Sequence, residues 1–439
     1  MKASPPKLLF AAAVFVALVI GLGPKVIGMG IQEFTMDSLV ALIPAETQSQ
    51  FEFRQSEVSS GWFASSGLLE VTYTPLGSDA IALQLHFDIT HGPLLRTADG
   101  LKFGLAYATI TPSIRSDAFD LVIADLPFSL PELSMQMLAG FDQSLRLNMN
   151  IATTNYSGTE GELSFGGLEG DVLINADQSA EFNLLVGKID ASAIGSMHIV
   201  IDGLEFRSHT EQMNDLLAPS YARLSIPFIS SDAPIAFSAT EIFIESNIRA
   251  SNAGNDKIDM QQQFGIDAIS SELPLASFSW NSEINELDSK LFTGYYELLS
   301  ELQSEMSSSP NTLTARLTEI GQELGIIALQ NSLVFNNLVR ANAYDGNHSI
   351  DLQIRWGGMP DIDNIASMDI SAALDALAIT LEIDLDRTAI DSSPLAGLID
   401  PYINEGYLVS GNGRILLKGS LQNSVLTLND EVVPLGQFF

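Results

Sequence analysis

The sequence predicts an α+β protein, predominantly β, of antiparallel sheets with an αα-hairpin inserted in the C-terminal half, behind a single N-terminal transmembrane helix. Three observations predict it. Period-two alternation of apolar and polar residues recurs through residues 50–270 and again after residue 345, as strands with one buried face require. Apolar spacing of three and four residues dominates only between residues 283 and 330. One stretch, Leu8 to Ile31, is nearly all apolar and carries no acid.

That N-terminal stretch reads as an uncleaved signal anchor. Lys2 and Lys7 precede "LLFAAAVFVALVIGLG", and the apolar run continues past Pro24 and Lys25 to Ile31. Its length matches the roughly 20 residues that cross a bilayer core. A cleaved signal peptide would have a shorter apolar region and a small-x-small site, and no Ala-x-Ala stands there. Lys2 and Lys7 belong on the cytoplasmic side, although Lys25 on the far flank reduces the asymmetry. The expected location is therefore a bacterial inner membrane, crossed once through residues 8–31, with the bulk of the chain in the periplasm.

In "IALQLHFDI" the residues Ile81, Leu83, Leu85, Phe87 and Ile89 share one face, with Ala82, Gln84, His86 and Asp88 on the other. A Pro-x-Gly turn before it makes Val71 to Thr74 the partner strand of a hairpin. "MHIVIDGLEF" and "LAITLEIDL" alternate in the same way. Ile284, Leu287, Leu291, Tyr295, Leu298, Leu302 and Met306 then mark one helix face. Ser309 as N-cap and Pro310 at the first helical position open a second helix through Leu313, Leu317, Ile320, Leu324 and Ile327. Asp345-Gly346 predicts a hairpin turn. "SPLAGLIDPYINEG" predicts a short helix, and Gly411-Asn412-Gly413 a hairpin tip. The chain thus divides into residues 1–30 (anchor), 31–282 (β-rich region) and 283–439 (helical hairpin and C-terminal β region).

Composition narrows the function classes. Hydrophobic residues make up 46% of the 439 residues, which excludes a disordered acidic chain. Fifty-four acids against 20 bases give a formal charge of −34, so nucleic acid and acidic headgroups are repelled by the chain as a whole. There is no cysteine, hence no disulfide and no thiol chemistry.

No motif supports an enzyme. The chain has no Gly-x-Ser-x-Gly elbow, no His-Glu-x-x-His helix and no glycine-rich phosphate loop. The acid pairs Asp361/Asp363 and Glu382/Asp384 lack the spacing of a calcium loop and read as solvated strand faces. Of five histidines, His91 in "ITHGPLL" stands out. As chemistry it would be a base or a ligand. As architecture it would be a strand-end residue whose ring bonds a nearby backbone group, ahead of the restricted turn at Gly92 and Pro93. His86, five residues earlier, faces the other way and cannot share a metal with it. No metal and no cofactor are expected.

Four motifs occur in order behind the anchor: "SSGWFASSG" (59–67), "THGPLL" (90–95), "FGGLEG" (165–170) and "LTLNDEVVPL" (426–435). The set resembles the YdgA/YihF family of bacterial envelope proteins of unknown function, from the anchor to the last hairpin. Gly61, Trp62, Phe63 and Ser65 match the first motif; Val58 and Ser60 stand where the family has Tyr and Arg. His91, Gly92, Pro93, Gly166, Gly167, Leu168 and Asn429 match the others, with Asp430 in place of the usual glycine. The resemblance implies these residues are architectural, and that the chain is a divergent member without an established reaction. A looser, fold-level likeness to AsmA-like envelope proteins implies long curved antiparallel sheets that carry lipid on an apolar inner face.

Two functions stand at this point. One is a non-enzymatic, membrane-anchored periplasmic binding module with lipid or another apolar ligand on a curved sheet. The other is a structural or interaction protein with a filled core that docks envelope proteins. They differ in whether the apolar strand faces form an open groove or pack against each other.

Overall fold

A computed structural model describes residues 48–434 except 49, 75–79, 98–99, 116–130, 160, 194–196, 233–235, 255, 273, 295–312 and 366–367. The expected anchor, the greater part of the first helix of the helical hairpin, Ser309 and Pro310 lie outside the described residues. Among the described residues, no helix is long and apolar enough to cross a membrane. The described residues fall into two compact units: those within 48–196 and 202–220 in one, and those within 197–201, 221–294 and 313–434 in the other.

The first unit is an antiparallel sheet in which β1 (Phe51–Ser60), β2 (Ala64–Tyr73), β3 (Ile81–His91), β6 (Ala106–Arg115), β7 (Leu133–Ala139), β8 (Leu145–Ile151), β11 (Leu168–Ile174), β12 (Ala180–Val186) and β15 (Leu204–Thr210) pair in that order. β4 (Leu94–Thr97) and β5 (Gly100–Phe103) form a small hairpin between β3 and β6. The expected Val71 strand lies on β2, with Val71 opposite Leu83. Alternation sends Leu83, Leu85 and Ile89 to one face, and all three are buried. The cross-strand row Met137–Leu147–Val172–Phe182 is buried throughout. This unit has a closed core.

The sheet is interrupted at the glycine pair of "FGGLEG". β9 (Thr154–Gly158) continues β8, β10 (Gly161–Phe165) precedes β11, and β13 (Ile189–Ala193) continues β12. All three adjacent strands break at the same level, at 152–153, 166–167 and 187–188. There the Gly166 N–H donates to Lys188 O at 2.7 Å and the Gly187 N–H to Gly167 O at 2.8 Å. A Cβ on Gly187 would meet Gly166 O at 2.5 Å, and Gly167 has φ +89°. Only glycines let the backbones pass this closely.

In the second unit β14 (Met197–Ile201) pairs with β16 (Ser220–Ser231). A meander follows, its strands long except the last two: β17 (Phe237–Ala250), β18 (Lys257–Ser271), β19 (Leu275–Asp288), β20 (Leu333–Ala343), β21 (Gly346–Trp356), β22 (Leu377–Asp386), β24 (Arg414–Gln422), β25 (Val425–Leu428) and β26 (Glu431–Val433). The three-residue β23 (Val409–Gly411) pairs with β24. Helices α1 (Leu313–Gln330), α2 (Ile370–Ala376), α3 (Arg387–Asp391) and α4 (Ala396–Asn404) connect the strands. α1 and α4 match the expected second and C-terminal helices.

Two local expectations are corrected. Ser282 to Asp288 is strand, not helix, so residue 282 falls inside β19. Glu286, at φ +63°, sits at a bulge where the register shifts by one, pairing Met260 with Ile284 but Ile258 with Leu287. The bulge puts two residues three apart on one face, which imitates helical spacing. The β20–β21 turn lies one residue early, on Tyr344 (φ +53°) and Asp345 (φ +62°). Gly346 is instead buried in β21, against Asp386 and Ala389 of the β22–α3 junction.

Candidate functional site

The first two motifs meet at one edge of the first unit. The Ser65 hydroxyl lies 2.8 Å from His91 Nε2, and the His91 N–H donates to Phe63 O at 2.9 Å. His91 thus ends β3 as expected, but its ring is held by a hydroxyl rather than by a backbone group. Ser65 is buried, and no carboxylate touches the ring among the described residues. Beyond His91, the Gly92 N–H donates to Leu105 O and the Gly104 N–H to Pro93 O, which carries the hairpin on into β4–β5. Leu95, fully buried, fills the space left by the missing side chains of Gly92 and Gly104.

The same edge carries the β7–β8 and β11–β12 turns, which share the sequence Asp-Gln-Ser. Asp142 accepts from the Ser144 N–H at 3.1 Å and hydroxyl at 2.6 Å; Asp177 does so from Ser179 at 3.0 and 2.7 Å. These hydrogen bonds hold both carboxyls below the ordinary aspartate range. The paired turns are a local repeat, and the recurring triplet was its signal in the sequence.

Asn429 belongs to the second unit. With Asp430 it forms the β25–β26 turn at φ +50° and +68°. Its side chain accepts from the Lys418 N–H at 2.9 Å and donates to Tyr407 O at 2.9 Å, tying the turn to β24 and to the chain before β23.

One face of the second sheet carries extended apolar rows. Register aligns Ile244, Phe264, Trp280, Val339, Ile350, Ile383 and Leu417 in a single row from β17 to β24. A parallel row runs Ile248, Met260, Ile284, Phe335, Ile354, Ile379, Leu421 and Leu426. Between them Ser246, Gln262, Ser282 and Asn337 make a polar stripe that gives way to Leu352 and Leu381. The opposite face is polar, with Glu245, Gln263, Ser279, Arg340, Ser349 and Asp384.

Unlike the core of the first unit, this apolar face is largely not buried. No member of the Ile244–Leu417 row is buried; Ile244 is 52% and Ile350 40% exposed. Coverage comes at the two strand ends. Ile390, Ile399, Ile403 and Leu408, from α3, α4 and the chain after them, pack on Leu385, Ile415 and Leu417. At the other end, Trp356 Nε1 donates to Leu329 O of α1 at 3.1 Å and the Gly357 N–H to Ala376 O of α2 at 2.8 Å. The result is a trough-like apolar face bounded by helices at both strand ends, with no helix packed on its middle among the described residues.

Two polar features escaped the sequence reading. His348 lies on the apolar face opposite Ala341, with Nε2 3.0 Å from Ala343 O and a buried Nδ1 that has no partner. Ser332 accepts from Lys257 Nζ at 2.5 Å and donates to Glu286 at 2.7 Å, which fixes the start of β20 to the β19 bulge. Both depend on long-range pairing that no local pattern announces. Among the described residues, no group of His, Asp and Glu has the arrangement of a metal site.

No curated protein and no solved structure matches this chain. A model of a bacterial protein family of unknown function, DUF945, matches residues 6–436, and the chain belongs to that family.

Proposed function

We propose that the protein is a non-enzymatic, membrane-anchored periplasmic binding module that holds an acyl chain or similar apolar ligand in the trough of its second unit. The carrying observation is the row from Ile244 to Leu417, of which no member is buried and Ile244 and Ile350 are exposed. Apolar faces of this extent in a folded domain are normally packed, as the first unit's is. Here the long strands supply the surface and the terminal helices limit its length. The Ser246–Gln262–Ser282–Asn337 stripe suits the polar part of an amphiphile, with Trp280 Nε1 donating to Asn337 Oδ1 beside it at 2.5 Å. The apolar segment Leu8 to Ile31 supports the anchor. Within its family we place the chain with the YdgA/YihF-like envelope proteins, on the four ordered motifs.

The test is photo-crosslinking in intact cells, with benzoylphenylalanine replacing Ile350 on the trough face or Gln353 on the polar face of the same strand. Phosphate-radiolabelled lipid should attach at 350 and not at 353. Adducts to proteins alone at position 350 would favour the second reading, a docking protein of the envelope, which the closed core of the first unit supports.

A further inference from the structure

The edge of the first unit that carries the first two motifs also carries exposed aromatic and aliphatic side chains with no intramolecular purpose. Trp62 is 95% exposed, Phe63 79%, Phe103 75% and Leu101 68%. Leu94 and Phe141, on the same edge, are each more than half exposed. The β4–β5 hairpin is anchored through its inner face, where Leu95 and Thr97 are buried. Its outer face, Leu94 and Arg96 opposite Phe103 and Leu101, would be polar if it met only water. Three of those four residues are apolar. The glycines that seat Leu95 hold this face firmly outward.

We propose that this edge is an interfacial membrane-docking site, with Trp62, Phe63 and the outer face of β4–β5 seated at the headgroup–acyl boundary of a bilayer. Local charge selects the bilayer over other occupants. Acids outnumber bases 54 to 20 in the chain, yet segments 61–63, 92–105, 139–146 and 175–179 on this edge balance Arg96, Lys102 and Arg146 against Asp99, Asp142 and Asp177. That balance weakens, at this edge, the repulsion that the acidic chain as a whole exerts on anionic headgroups. Exposed Trp and Phe with neighbouring Arg and Lys stems are the composition of an interfacial contact. Such a contact would give the anchored chain a fixed orientation on the membrane, independently of whether the trough carries lipid.

The chain has no cysteine, so Phe63→Cys and Leu101→Cys each accept one environment-sensitive nitrobenzoxadiazole label, with Thr159→Cys in the exposed β9–β10 turn as reference. The labelled full chain is reconstituted into phosphatidylcholine–phosphatidylglycerol vesicles, and flotation reports independently whether it is membrane-bound. Labels at 63 and 101 are expected to shift to the blue, brighten severalfold and be quenched by lipids brominated on the acyl chain, while the label at 159 stays water-like. A floated chain whose labels at 63 and 101 remain in water overturns the proposal while leaving the anchor intact. Brightening that scales with protein density at fixed lipid identifies a second copy as the occupant and overturns it too. So does a chain that does not float.

Discussion

The Ser65 hydroxyl and the His91 imidazole, 26 residues apart, meet at 2.8 Å where β2 and β3 end. Ser65 pairs with Ile89, so the contact is diagonal across the strands, on the face that carries the core. It closes that core at the edge where the chain leaves the sheet for β4–β5, and it joins two motifs that look unrelated in sequence.

The pair should therefore affect stability rather than turnover. Ser65→Ala is expected to cost about 1 kcal/mol, the ordinary net value of one hydrogen bond plus an unmet ring nitrogen. Ser65→Ala combined with His91→Leu should cost clearly less than the two single changes added, because both remove the same contact. Chemical denaturation of the four proteins measures this; full additivity would show that the contact contributes nothing.

Gly187→Ala tests the close contact with Gly166. The new methyl meets backbone atoms of Gly166 and cannot be relieved by a rotamer change, so a loss of about 1–3 kcal/mol is expected. Gly321→Ala, in the middle of α1 with nothing within 4 Å, should instead stabilise by about 1 kcal/mol. Equal effects at the two sites, read from thermal midpoints, would remove the steric account of "FGGLEG".

The Asp-Gln-Ser turns make two separable predictions. Gln143 and Gln178 lie at φ +64° and +70°, so Gly at both should stabilise by about 0.5 kcal/mol each, the relief of left-handed strain less the added chain entropy. Asp142 and Asp177 have their titration lowered in the folded state. Their favourable contribution is present at neutral pH and fades as pH falls through the folded-state values. The stability gap between the parent and the Asp142→Ala/Asp177→Ala double variant should narrow in acid. A gap independent of pH would contradict the hydrogen bonds to the charged carboxylates.

What the sequence revealed divides along physical lines. Ile81–Ile89 and Leu377–Leu385 were legible because alternation is imposed locally by one covered face. Ser282–Asp288 was misread because a bulge at Glu286 turns period two into an apparent period three. Ser65–His91, Ser332 between Lys257 and Glu286, and the Ile244–Leu417 row depend on register between distant strands. A strand's own pattern shows that it has an apolar face, but not whether anything lies on top of it.

That last distinction can be tested by placing a polar group on equivalent apolar positions of the two units. Leu147 is 1% exposed in the first unit, within the closed row Met137–Leu147–Val172–Phe182. Its truncation to Ala should cost about 2–5 kcal/mol, and Leu147→Ser more, since the hydroxyl would have no partner there. Ile350 is 40% exposed at the centre of the trough row. Water already reaches it, so Ile350→Ser should cost under about 1 kcal/mol, because little area is lost from burial and the hydroxyl stays solvated. Denaturant midpoints of the two variants against the parent give the comparison. If Ile350→Ser destabilises as much as Leu147→Ser, the face is packed in solution, and the binding role falls with it. If it is tolerated while lipid adducts at a neighbouring trough position disappear, the exposed apolar surface is there for a ligand rather than for the fold.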